Sequence, residues 1–178
     1  MRVFAKSFAA RSVLVARAMR TLAIFATGAL AVGCSSYTTA PVATPPIAAA
    51  GPGRSDVATV CLYRPTHIGT AMTVPVRDNG QLVGVTQAYT YFCWHAEPGR
   101  HRVAVAGGSD ADDRTFEVVA GERLHLQHEI NIGSDALRII DAREAEKYAR
   151  ECAYHVVTEA PSEDPIPTPE RVVRAQAR

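Results

Sequence analysis

The chain has no apolar run long enough to cross a bilayer. Its apolar stretch near the start, Leu22 to Val32, holds eleven residues, which as a helix reach only ~16 Å against a hydrocarbon core of ~30 Å. A spanning helix is excluded there, and the run reads as the core of an export signal. A basic stripe is missing too. Charged residues are 21% of the chain, mixed in sign, with a net charge of +1, which argues against nucleic acid as a partner. Cysteine is scarce at four, too few for a disulfide scaffold, and strands do not alternate with helices, which excludes a doubly wound parallel sheet.

What is present begins with that signal. Arg2, Lys6, Arg11, Arg17 and Arg20 form the positive region ahead of the apolar core, and Met19 offers a second start that would leave residues 1–18 outside the protein. Ala31-Val32-Gly33-Cys34 resembles the lipobox of bacterial lipoproteins, in which small residues precede a cysteine that takes a diacylglycerol thioether. Leucine stands at Leu30, one place earlier than is usual in that family. The resemblance implies a signal peptide over 1–33, acylation of Cys34, and a lipid bilayer as a partner. Each acyl chain contributes ~0.8 kcal/mol per buried CH₂, so anchoring would be permanent. Ordinary cleavage after Gly33 is the alternative. Ser35 follows the cysteine instead of an aspartate, which favours the outer membrane, facing the periplasm.

Removing 33 of 178 residues leaves a length suited to one domain with flexible ends. With Cys34 lipidated, Cys61, Cys93 and Cys152 remain in an oxidising compartment, so one disulfide and one thiol are expected. Cys93 with Cys152 is the preferred pair, because a helix-borne cysteine can approach a strand without distorting a ladder. Cys61 with Cys93 competes, and three buried thiols are the remaining alternative. Residues 34–56, rich in alanine and proline, read as a flexible tether reaching ~25 Å, and residues 158–178 as a disordered tail.

The folded body is expected over 57–157. Val57 to Tyr63 is a strand stopped by Arg64-Pro65; Met72 to Arg77 and Gln81 to Gln87 flank Asp78-Asn79-Gly80, a type I′ hairpin signal. Pro75 requires an edge position or a bulge. Tyr89 to His95 is apolar on both faces, hence central, and Glu97-Pro98-Gly99-Arg100 is a type II turn signal leading into a returning strand, His101 to Ala106. Arg114 to Val119 and Arg123 to Ile132 follow, the latter with Leu124, Leu126, His128 and Ile130 on one face and His125, Gln127, Glu129 and Asn131 on the other. Ala136 to Ile140 is a last strand, and Asp141 caps a helix through Cys152 with Glu144 at N3. The fold class is mainly β: an antiparallel β-sandwich of about seven or eight strands with one C-terminal helix.

Tyr63-Arg64-Pro65, Asp78-Asn79-Gly80 with Val83-Gly84, Tyr89 to Phe92, Pro98-Gly99-Arg100-His101 and Ala120-Gly121-Glu122 together resemble the DUF2846 family of bacterial lipoproteins over roughly residues 57–140. The likeness implies a small sandwich of transthyretin-like or carboxypeptidase-regulatory-like type and brings no catalytic residues.

No catalytic constellation stands out. Cys93 and His95 share a strand face, which is the one pairing that could place imidazole beside a thiolate, but a strand cysteine amid Tyr91 and Phe92 reads as core or disulfide-bonded. The histidines at 67, 95, 101, 125, 128 and 155 are spread out, and His125 and His128 face opposite ways. Asp110, Asp112 and Asp113 lack the later ligands of a calcium loop, so neither a metal nor a cofactor is expected. Tyr89, Tyr91 and Trp94 could form a sugar-stacking platform if exposed. The expected function is a tethered, non-enzymatic interaction or structural module binding an envelope protein, with a cell-wall or surface glycan-binding module as the alternative.

Overall fold

The structure is a computed structural model that describes residues 36–47, 54–106, 113–131 and 134–177. The signal, the lipobox and Cys34 lie outside the described residues, as do Asp110 and Asp112. Among those described, two sheets stack with one short helix against them, so the chain is mainly β.

The large sheet contains β1 (Thr38–Pro41), β2 (Ala58–Arg64), β5 (Thr90–Ala96), β8 (Arg123–Asn131), β9 (Ser134–Ile140), β10 (Ala153–Glu159) and β11 (Val172–Val173), in the order β1-β10-β5-β2-β8-β9 with β11 also on β5. The small sheet is β3 (Val74–Asp78), β4 (Gln81–Thr86), β6 (Gly99–Val105) and β7 (Arg114–Val118), ordered β4-β3-β6-β7 and antiparallel throughout. β5 is central and buried on both faces, as its aromatic run requires.

Its even-numbered residues Phe92, Trp94 and Ala96 join Val60, Leu62 and Leu126 against Val76, Val83, Val103, Val105 and Phe116 of the small sheet. Its odd-numbered Tyr91 and Cys93 face outward, where Tyr63, Cys61 and helix α1 (Ala142–Glu151) cover them.

The expectation of an antiparallel sandwich is corrected: the large sheet is mixed. β8 runs parallel to β2, and β10 and β11 run parallel to β5. The reason is connectivity. After β2 the chain builds a hairpin in the other sheet before β5, and after β5 it returns to the small sheet through Pro98-Gly99, where Gly99 takes φ 133°. β6 therefore pairs with β3 and β7, not with β5.

The helix is not the end of the fold either. From β9 to β10 the chain must pass four strand spacings of ~4.8 Å, about 19 Å, and a ten-residue helix covers ~15 Å of that. Asp141 caps it by accepting from the Glu144 amide at 2.8 Å, while the Glu144 carboxylate pairs with Arg138 at 2.6 Å and Tyr148 at 2.8 Å. Ala145 and Cys152 are buried against the sheet.

The Asn79-Gly80 turn has φ of 49° and 81°, both left-handed as a type I′ turn demands. Pro75 lies just beyond Val76–Asp78, the stretch that β6 pairs, and the β3·β4 register shifts next to it, between Val76 and Arg77. Gly84 has a different reason to be glycine, since a Cβ there would run into the Phe92 ring. Gly84→Ala is expected to cost roughly 1–3 kcal/mol through overpacking, read as a lowered urea midpoint at unchanged slope.

Two segments differ from their sequence reading. Thr38 to Pro41, inside the expected tether, pairs antiparallel with β10, and Ile47 is buried in the outer-face cluster. The expected tail is ordered through Ala177: β10 runs to Glu159, Asp164 is buried, and Val172-Val173 adds to β5. Both corrections have one cause. β10 and β5 present unpaired N–H and C=O groups along their edges, and short polar or proline-rich segments satisfy them without needing an apolar period of their own.

Candidate functional site

The residues singled out by sequence do not converge. Cys93 stands directly opposite Cys61 in the antiparallel β2·β5 register and is disulfide-bonded to it. The preferred Cys93–Cys152 pairing is thereby replaced by its competitor, because β2 is the immediate neighbour of β5 and both cysteines point to the helix side. Cys152 is a buried free thiol in the same cluster, and burial pushes it up to about 12, far from a reactive thiolate. With Cys93 oxidised, His95 has no thiol to activate. Its Nδ1 is buried without a hydrogen-bond partner, and burial, then the Arg54 field, lower its pKa.

Nor do the three aromatics make one platform. Trp94 and Tyr91 are buried on opposite faces of β5, and only Tyr89 is exposed. Tyr91 stacks on Tyr63 at 5.2 Å and meets Tyr154 edge-on at 5.0 Å.

Two buried polar clusters were not visible in sequence. In the first, Asp78 and His101 are both fully buried where β3 lies beside β6. His101 Nδ1 lies 2.9 Å from each Asp78 oxygen, His101 Nε2 is 2.9 Å from the Glu97 carbonyl, and Trp94 Nε1–H donates to Asp78 at 2.9 Å. Burial opposes the imidazolium most, but the Asp78 contact, the Asp78 charge and the Glu97 carbonyl together outweigh it, and the pKa is raised. A histidine donating from both nitrogens has no lone pair left for a substrate, so this pair braces the fold and is no general base.

The second cluster surrounds Arg64 of the Tyr-Arg-Pro element. Its guanidinium, fully buried, donates to the carbonyls of Gly69 at 2.7 Å, Ile68 at 2.9 Å, Met72 at 3.1 Å and Thr86 at 3.3 Å. Thr86 Oγ1 lies 2.9 Å from His128 Nδ1. Burial, countered by Asp135 and reinforced by Arg64, brings His128 down to about 4, so the ring is neutral at physiological pH. His125 lies on the other face against Tyr63, with its pKa lowered by burial and by Arg123.

The feature shaped to receive something is a cavity of about 240 Å³ on the open side of β5. β10 pairs with β5 only at Thr90 and Tyr91, and β11 only at His95 and Ala96. Between them Phe92 to Trp94 have no strand neighbour on that side. The gap opens beneath the edge strand β4 and is covered by Pro167 to Pro169. Pro165, Pro167 and Pro169 lack N–H donors, so this strap lies over the gap without becoming a ladder strand. It is held by Asp164, which accepts from Tyr37 Oη and from Arg77 at 2.6 Å. The Tyr37 bond, then the Arg77 bond, keep Asp164 below the ordinary carboxylate range.

Among the described residues no group of three or more metal-ligating side chains gathers, and no helix is long and apolar enough to cross a membrane. Compared with known proteins, the chain matches no family model, no curated protein and no solved structure.

Proposed function

We propose that the chain is a lipid-anchored, non-enzymatic envelope protein, similar to the DUF2846 lipoproteins, whose transthyretin-like sandwich serves as an interaction or structural module. Acylated Cys34 would hold it in the outer membrane facing the periplasm, with the bilayer and an envelope protein as partners and no nucleic acid. The observation that carries this reading is the run from Leu22 to Cys34: basic residues, a short apolar core, small residues and a cysteine.

The Cys61–Cys93 disulfide supports it, since such bonds persist in oxidising compartments. So does the internal engagement of His101 and Cys93, the side chains best suited to chemistry. Among the described residues pairing begins at Thr38 of β1, which supports a tether shorter than composition suggests. Of the aromatics on which glycan binding would rest, Tyr89 alone is at the surface.

Intact mass and N-terminal analysis of the protein extracted from membranes test the proposal. The expected product begins at Cys34 and carries a diacylglyceryl mass, and Cys34→Ser releases the protein into the soluble periplasmic fraction. An unacylated product beginning elsewhere would overturn it.

A further inference from the structure

We infer that the cavity between β4, β5 and the proline strap is a binding site for a single-chain anionic amphiphile of the long-chain fatty acid class. The inference stands on the cavity's two-part chemistry and does not depend on acylation of Cys34. Its inner part is apolar, walled by Leu82, Val85, Phe92, Trp94, Val157 and Pro167. Such a lining offers a hydrocarbon chain contact without asking any polar group to give up a partner.

The cavity has Thr39 and His155, 2.9 Å apart, and Thr168 among its polar lining, and Arg171 as its arginine. Gln81, Arg171 and Val173 line it and also line a second cavity of about 540 Å³, whose other walls include Asn79, Arg174 and Gln176. The two cavities thus share a boundary, and the second brings Arg174 to the side where Arg171 stands. Arg171 is half-buried and Arg174 exposed, and neither has an ion-pair partner among the described residues. Two unpaired guanidinium groups at the mouth of an apolar slot complement a carboxylate with a hydrocarbon tail.

The backbone around that mouth is already committed. The Arg171 amide donates to the Thr168 carbonyl at 3.0 Å and the Arg174 carbonyl accepts from Asn79 at 2.8 Å. Their side chains can therefore be changed without loosening the strap.

Trp94 lines the cavity and is the only tryptophan, so its fluorescence reports occupancy directly. Full-length protein titrated with a brominated C18 fatty acid, kept below its micelle concentration, should show saturable quenching that the unbrominated acid reverses. Arg171→Gln combined with Arg174→Gln should weaken the brominated acid about tenfold while leaving the matching brominated fatty alcohol unchanged, at an unaltered thermal midpoint. Quenching that rises linearly and is not reversed would reduce the effect to surface adsorption and overturn the site. Equal weakening of acid and alcohol would overturn the assignment of the arginines to the head group, and with it the anionic class.

Discussion

Asp78→Ala is expected to lose roughly 3–5 kcal/mol of unfolding free energy, the range for removing one partner of a buried ion pair. Asp78 is fully buried and accepts from both His101 and the Trp94 indole. Its loss leaves an imidazolium without a counterion and an indole N–H without an acceptor. Pairing the change with His101→Phe should recover much of the loss, because the uncompensated charge is then gone as well. Urea unfolding followed by Trp94 fluorescence reads both results as midpoints at constant slope. A loss under about 1 kcal/mol would mean that the buried pair contributes little to this fold.

The same variant should reshape the pH dependence. His101 has a raised pKa in the fold, so its contribution is fully present below the unfolded value of ~6.5 and is lost as pH rises through the folded one. His128 works in the opposite sense. With its folded pKa at about 4, the unfolded chain takes up a proton between ~6.5 and that value which the folded chain refuses, and stability falls across that window by roughly 3 kcal/mol. His95, His125 and His155 are lowered too, in each case first by burial. Wild-type stability should therefore peak near neutrality with a steeper acid limb. Asp78→Ala should abolish the alkaline decline and leave the acid limb in place.

The second large effect is expected at the disulfide. Cys61 and Cys93 are 32 residues apart, and closing a loop of that length restricts the unfolded chain by roughly 3 to 4 kcal/mol in the entropic account. Cys61→Ala with Cys93→Ala should lose about that much, and reduction of the wild type should match it. Peptide mapping provides the covalent check: a linked Cys61–Cys93 peptide, with Cys152 alkylated only after denaturant exposes it. A linked peptide containing Cys152 would place the bond elsewhere and undo the expectation.

What was readable in the sequence was what is encoded locally. The Asn79-Gly80 turn, the Asp141 cap, the two-sided burial of Tyr91 to Trp94 and the two faces of Arg123–Asn131 each depend on neighbours a few residues away, and each is found. Strands β1 and β11 escaped because Thr38 to Pro41 and Val172-Val173 carry no period; they exist because β10 and β5 have edges to fill. Parallel pairing of β2 with β8 escaped for a related reason, since direction within a sheet is set by which sheet the chain visits in between. The cavity joins β4, β5, β10 and the strap, and no spacing along one segment could reveal that they meet. Asp78 and His101 likewise read as a turn residue and a strand residue until β3 and β6 set them side by side.

The pairing of Val172 and Val173 with His95 and Ala96 also sets a timetable. Residue 173 has to be in place before the middle strand can be finished, so an incomplete chain carries an unsealed rim that invites association with its neighbours. Proteolytic trimming between Glu159 and Arg171 would return the mature molecule to that condition, and would unroof the slot beside Trp94 in the same cut.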